Sequence, residues 1–256
     1  MLGNLFSELP IILLGLPAVL LSLSVHEAAH GYAAYRLGDN TAKNLGRLTL
    51  NPLKHINPFG FIAMLFFRIG WANPVPINAR NFNKPRRDMA ITAAAGPLSN
   101  LCLAIIFTIL LRLVMIPLQS EMDNALLTTP ITMDIFEVLH SNTGYTLLSL
   151  LATMLYLGIS LNLNLMIFNL IPLPPLDGSR IAYIFLPTHL YFKIMQYERY
   201  IMIGFIVLLA TGFIDLPLGT ITSAISNFLF GILGMPEDYM YISINDLISR
   251  LPTFSL

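Results

Sequence analysis

The stretch LPIILLGLPAVLLSLSVHEAAHGYAAYR, residues 9–36, decides how this chain is read. No ionisable side chain stands between Glu8 and His26, and the apolar character continues past the histidines to about Leu37. At about 1.5 Å of rise per residue, that is enough helix to cross a hydrocarbon core of roughly 30 Å. The run lacks the basic start and small-residue cleavage site of a signal peptide, so it is expected to stay in place as a first span. Its inner end nevertheless carries two histidines and a carboxylate. Ionisable groups at that depth are costly, and by default they mark a functional site.

The rest of the chain shares this character. Hydrophobic residues make up 55% of the 256 and charged residues 11%, where a soluble domain carries about 25% charged residues. The mean hydropathy of +0.71 agrees, and the composition implies an integral membrane protein. Fourteen basic residues balance fourteen acidic ones, which removes the electrostatic footprint of a nucleic-acid binder. The lone cysteine, Cys102, excludes an intrachain disulfide and a multi-cysteine metal knuckle.

Two further uncharged stretches are long enough to span, one between Asp88 and Arg112 and one from about Tyr145 to Ile171. From Tyr200 to Gly234 the only charge is Asp215. With Gly212, Pro217 and Gly219 near its middle, this segment reads as two helices and a tight turn. Nine of the fourteen basic residues, Arg36 to Arg87, fall between the first two spans, whereas residues 117–144 carry four acidic residues and no Lys or Arg. Loops rich in Lys and Arg stay in the cytoplasm. The N-terminus is therefore expected outside, with loops 37–87 and 172–199 inside. Within the basic loop, Pro58–Phe67 is apolar but too short to cross, which suits a re-entrant segment. Leu45–Leu50 and Trp71–Phe82 would be edge strands if they paired, because Pro74 and Pro76 cannot donate to a ladder. The expected fold is thus an all-α polytopic membrane protein of about five transmembrane helices, with a short re-entrant, β-containing cytoplasmic loop between the first and second. One domain covers 1–256, with a core over about 9–185, a helical hairpin over about 198–235 and a cytoplasmic tail over 236–256.

The chemistry lies in His26-Glu27-Ala28-Ala29-His30. In this H-E-x-x-H pattern, histidines at i and i+4 share one helical face and can grip one Zn²⁺, while the glutamate stands one step round, placed to act on water at the metal. The bland alternative is a histidine pair hydrogen-bonded across helices. A catalytic zinc takes three protein ligands and one open position. His55, His140 and His189 lack a partner at ligand spacing. Asp177 is better placed, because Pro172, Pro174 and Pro175 must break the third span just before it. Non-helical backbone at membrane depth is tolerated where it lines a cavity. An Asp-Gly turn after a helix is the ordinary reading of the same residues. Asn100, an amide inside the second span, is either helix–helix glue or part of the site, and Gly96 one turn earlier would let another backbone approach closely.

Together, His26-Glu27-x-x-His30 and Asn169-x-x-Pro172-x-Pro174-x-Leu176-Asp177-Gly178 resemble the site-2 protease family of intramembrane zinc metalloproteases. Gly96-Pro97-Leu98-Ser99-Asn100 and Trp71-Ala72-Asn73-Pro74-Val75-Pro76-Ile77-Asn78 fit the same family, and the resemblance covers about residues 20–185. It implies one zinc held by His26, His30 and Asp177, with Glu27 as catalytic acid/base and Asn100 and Asn169 holding the substrate backbone or the oxyanion. It also implies that extended cytoplasmic-loop segments clamp an unwound substrate as an added strand. The chain looks like a minimal form, without the PDZ or CBS domains of other members. Its expected partners are membrane lipid and single-span or signal-peptide-like substrates, and its expected place is a prokaryotic inner membrane with the site toward the cytoplasm. Two rivals are a metal or ion transporter, which would need polar groups continuing to the outer face, and an inactive membrane scaffold.

Overall fold

A chain so poor in charge must satisfy its backbone internally, and helices do this within one segment. The computed structural model describes residues 2–60, 73–128, 143–212 and 215–235, and these are mostly helical with no β-strand. In chain order the elements are α1 (Leu2–Arg36), α2 (Thr41–Asn44), α3 (Pro85–Thr128), α4 (Thr143–Leu170), α5 (Asp177–Ala182), α6 (Thr188–Gln196), α7 (Glu198–Ala210) and α8 (Asp215–Ile232). Single 3₁₀ turns occupy Pro52–Lys54 and Ala79–Asn81.

Three helices are long and apolar enough to cross a membrane, over Ile11–Arg36, Pro85–Leu118 and Leu147–Leu170. They fall on the three spans expected over residues 9–36, between Asp88 and Arg112, and from about Tyr145 to Ile171. The C-terminal pair is present as two helices, but α7, with 13 residues, rises only about 20 Å, and α8, with 18, about 27 Å, against a core of about 30 Å. The described structure therefore supports three spans and leaves the expected five unconfirmed. Most of the expected re-entrant segment and the whole 236–256 tail lie outside the described residues.

Among the described residues the basic loop, expected to be β-containing, holds no β-strand, only an isolated bridge at Ile56, and the hydrogen bonds explain why. Pro74 and Pro76 have no N–H to give, and the neighbouring donors are already engaged. The Asn73 N–H donates to His55 O (2.7 Å), the Val75 N–H to Glu27 Oε2 (2.8 Å) and the Asn78 N–H to Asp39 Oδ2 (2.7 Å). Asn73–Asn78 is thus an extended strap tied down mainly by carboxylates.

The chain divides into two compact units. The first comprises Met1–Ala18, Ala104–Ser160 and Ser226–Leu256. In it Leu111 and Ile159 are fully buried, Tyr156 stacks on Phe230 with ring centroids 6.5 Å apart, and a Cβ on Gly158 would lie 2.6 Å from the Phe107 ring. The second comprises Val19–Leu103 and Leu161–Ile225 and contains every residue singled out above for chemistry. Here polar ties supplement packing. Asn162 Nδ2 donates to Ser22 Oγ (2.8 Å), and Thr222 Oγ1 donates to Asn164 Oδ1 (2.6 Å). After α1 the chain turns at Gly38, whose φ of 108° suits glycine. The turn returns the Asp39 N–H to Ala34 O (2.9 Å) and leaves the Asp39 carboxylate buried.

Candidate metal centre

Helical spacing places His26 and His30 on one face of α1, and α3 and α5 supply what surrounds them. The two Nε2 atoms are 3.0 Å apart, and each lies 3.2 Å from Asp177 Oδ2. Both imidazoles are buried, with their rings edge to face. Burial works against ionisation of Asp177, but the neighbouring imidazoles of His26 and His30 outweigh it and bring its carboxyl down to about 2. The aspartate is therefore an anion at neutral pH.

This triangle fits a metal better than it fits hydrogen bonds alone. Bonds of about 2.0–2.1 Å in tetrahedral zinc put ligand atoms about 3.3 Å apart, close to the 3.0–3.2 Å observed. Asp177 Oδ2 is buried without a well-directed hydrogen bond. A cation satisfies all three corners, whereas each imidazole Nε2 can share at most one proton.

The surrounding shell holds these three side chains in place. His30 Nδ1 donates to Thr92 O (2.7 Å), which leaves the Nε2 lone pair facing the triangle. Gly96 lies against both rings, and a Cβ there would come 2.6 Å from His26 Cε1 and closer still to His30. Gly96 thus admits imidazoles, where the sequence had suggested a neighbouring backbone. Pro97 follows it and removes the N–H that Ala93 O would otherwise receive. Gly178 is equally constrained, since a Cβ on it would meet the carbonyl oxygens of Leu170 and Ile171. The Pro172–Pro175 break folds the chain back so tightly that only glycine fits beside Asp177.

The triangle opens into a cavity of about 380 Å³ whose lining includes Glu27, Asn169 and Arg180 as well as His26, His30 and Asp177. Asn169 Nδ2 donates to Leu165 O (2.9 Å). Asn100 does not line the cavity. It is fully buried, and both of its amide atoms lack partners among the described residues. His55 is buried with Nε2 donating to Thr49 O (2.8 Å), His189 is exposed on α6, and His140 lies outside the described residues. Among those residues His26, His30 and Asp177 form the one cluster of metal-ligating side chains. Sequence reasoning missed the Thr92 carbonyl and the Val75 N–H, which are backbone groups with no residue-type signal. It also passed over Asp39, whose only trace was an isolated acid in a basic loop.

A profile of Peptidase family M50 matches residues 14–211. The chain belongs to Peptidase family M50. This is the site-2 protease family that the motifs resemble. The M50 chain is 43% identical over 202 residues to "Putative zinc metalloprotease YwhC" of Bacillus subtilis (strain 168), an alignment covering 79% of this chain and 80% of that protein. It is 34% identical over 97 residues to "Putative zinc metalloprotease Rip2" of Mycolicibacterium smegmatis, covering 36% and 38% of the two chains. Against the protein of the same name in Mycobacterium tuberculosis (strain H37Rv) it is 27% identical over 165 residues, covering 62% and 52%. No solved structure matches the chain. Family membership, the names of these relatives and the apolar helices together support a membrane metalloprotease.

Proposed function

We propose that this M50 chain is a zinc-dependent endopeptidase that cuts single-span membrane proteins or signal-peptide remnants within or near their transmembrane segments. The observation that carries the reading is the convergence of two imidazole nitrogens and one carboxylate oxygen in a cavity whose lining also includes Glu27. His26, His30 and Asp177 would hold one zinc, which when bound supplies Lewis acidity for the scissile carbonyl and makes water a usable nucleophile near neutral pH.

The chain's own residues do the rest. Glu27 has one carboxylate oxygen on the Val75 N–H, which leaves the other to take a proton from the attacking water and pass it to the leaving nitrogen. Asn169 retains its side-chain carbonyl and one N–H for the substrate main chain. Asn100, one turn along α3 from Gly96, does not line the cavity, and its role with the substrate backbone or oxyanion rests on the family resemblance together with its unpaired amide. As interhelical glue it has no partner among the described residues. A helical substrate must unwind first, because its carbonyls are occupied by i→i+4 bonds. The basic loop supports placing the N-terminus outside and the site toward the cytoplasm of a prokaryotic cell.

The test is Glu27→Gln in the native membrane, with zinc measured on the same preparation. The variant is expected to bind one zinc per chain, to cleave about 10²–10⁴-fold more slowly and to retain intact single-span substrates. Cleavage at the wild-type rate would remove Glu27 from the mechanism.

A further inference from the structure

We propose that the Asn73–Asn78 strap positions Glu27 through a single backbone hydrogen bond, and that Asp39 is the positioning residue that holds the strap for this purpose. The inference rests on the acid/base role given to Glu27 above. The bond is the Val75 N–H to Glu27 Oε2, 2.8 Å. Its isolation is built into the sequence. Pro74 and Pro76 flank Val75 and carry no N–H, so neither neighbour can take over the carboxylate if the strap slides by one residue. A carboxylate tied through one oxygen keeps the other for a proton. An untied glutamate would instead divide its time among rotamers on the α1 surface.

The strap is fixed at both ends. At the first, the Asn73 N–H donates to His55 O (2.7 Å) and Arg47 Nη2 donates to Asn73 O (2.6 Å). At the second, Asp39 Oδ2 accepts the Asn78 N–H (2.7 Å), and Asp39 Oδ1 accepts from Asn81 Nδ2 (2.7 Å) and from the Thr41 N–H (3.0 Å). Asp39 is fully buried and comes directly after α1, the helix that carries Glu27. Two carboxylates on or just beyond one helix thus hold two backbone N–H groups three residues apart on the strap. Between them the buried Val75 side chain sits against Gly31, where a Cβ would lie 3.1 Å from Val75 Cγ1. Leu48 and Ala42 close on the same glycine, so a side chain at position 31 would push the strap off the helix. A displacement of the acid/base by about 1 Å costs about 10²-fold in rate, so the strap's hold matters to turnover although Asp39 touches no reacting atom.

The test compares Val75→Pro, which deletes the N–H, with Val75→Ala, which keeps it, both as full-length chain in liposomes with a fluorescence-quenched single-span peptide that the wild type cleaves. Val75→Pro is expected to fall at least tenfold below Val75→Ala in kcat, with KM within about twofold and one zinc per chain in both. Amide exchange of the 73–82 segment supplies a readout independent of turnover. Protection at Val75 is expected to drop at least tenfold in both Asp39→Ala and Glu27→Ala, with zinc content preserved in Asp39→Ala. Equal kcat for the two Val75 variants, or Val75 protection that survives Asp39→Ala, overturns the proposal. A wild type that cleaves nothing overturns the peptidase reading instead, while the exchange measurement still decides whether Asp39 holds the strap on Glu27.

Discussion

Replacing Gly96 with alanine is the sharpest test of the metal centre. The added Cβ would lie 2.6 Å from His26 Cε1 and closer still to the His30 ring, where non-bonded carbons normally stand about 3.5–4.0 Å apart. Something must therefore move by about 1 Å. The colliding atoms are not the free ends of flexible chains. The His30 ring is pinned by Nδ1 on Thr92 O, and both rings are buried. Either α3 backs away, taking Thr92 with it, or the imidazoles swing out of the triangle they form with Asp177. Metal sites tolerate about ±0.2 Å in ligand distance, and the loss of a ligand-orienting contact alone lowers affinity about 10–100-fold. Gly96→Ala is accordingly expected to weaken zinc at least 100-fold, about 2.7 kcal/mol. The assay is competition with a chromogenic chelator on purified protein. Gly204→Ala serves as control, because a Cβ there meets nothing within 4 Å, and the substitution adds helix propensity on α7. If Gly96→Ala holds zinc as tightly as the control does, the close packing of α3 on the histidine pair is not what shapes the site.

Further predictions follow from neighbouring contacts. Gly178→Ala drives a methyl into the Leu170 and Ile171 carbonyls and is expected to release Asp177, with zinc stoichiometry falling below half while the α-helical circular dichroism stays near wild type. Asn100→Leu removes an amide that is buried without partners. It should raise resistance to thermal unfolding, by about 1–3 kcal/mol, while reducing peptide cleavage, and a gain in both would assign Asn100 to neither chemistry nor substrate. Burial opposes ionisation of Asp39, but hydrogen bonds from Thr41, Asn78 and Asn81 outweigh it and hold its carboxyl below its ordinary value of 3.8. Its stabilising contribution is therefore fully present above about pH 4 and is lost as pH falls through the lower, folded-state value. Amide exchange of the 73–82 segment should accelerate in the wild type as pH is lowered below about 4, after correction for intrinsic rates, and change little in Asp39→Ala over the same range.

How much of this was legible beforehand depends on whether the signal is local. The three spans were readable because crossing a bilayer requires about twenty consecutive apolar residues, and composition alone records that. The break after Leu170 was readable because three prolines in four residues cannot continue a helix. The strap was misjudged. Trp71–Phe82 reads as an edge strand on condition that it pairs, and whether an extended segment joins a sheet depends on where its donors go. Here they go to Glu27, Asp39 and His55 O, partners 18 to 48 residues away in sequence.

The sequence by itself determined that this is a membrane-embedded chain with an H-E-x-x-H helix and a distant aspartate of the right kind, because hydropathy, helical period and proline geometry act over a few residues. Folding in three dimensions brings His26, His30 and Asp177 within 3.2 Å, sets Gly96 against the two imidazole rings and places a backbone N–H on Glu27. These are distances between segments far apart in the chain, fixed by packing and backbone hydrogen bonds; the motifs implied which side chains meet, but hydropathy and helical period alone do not set how closely.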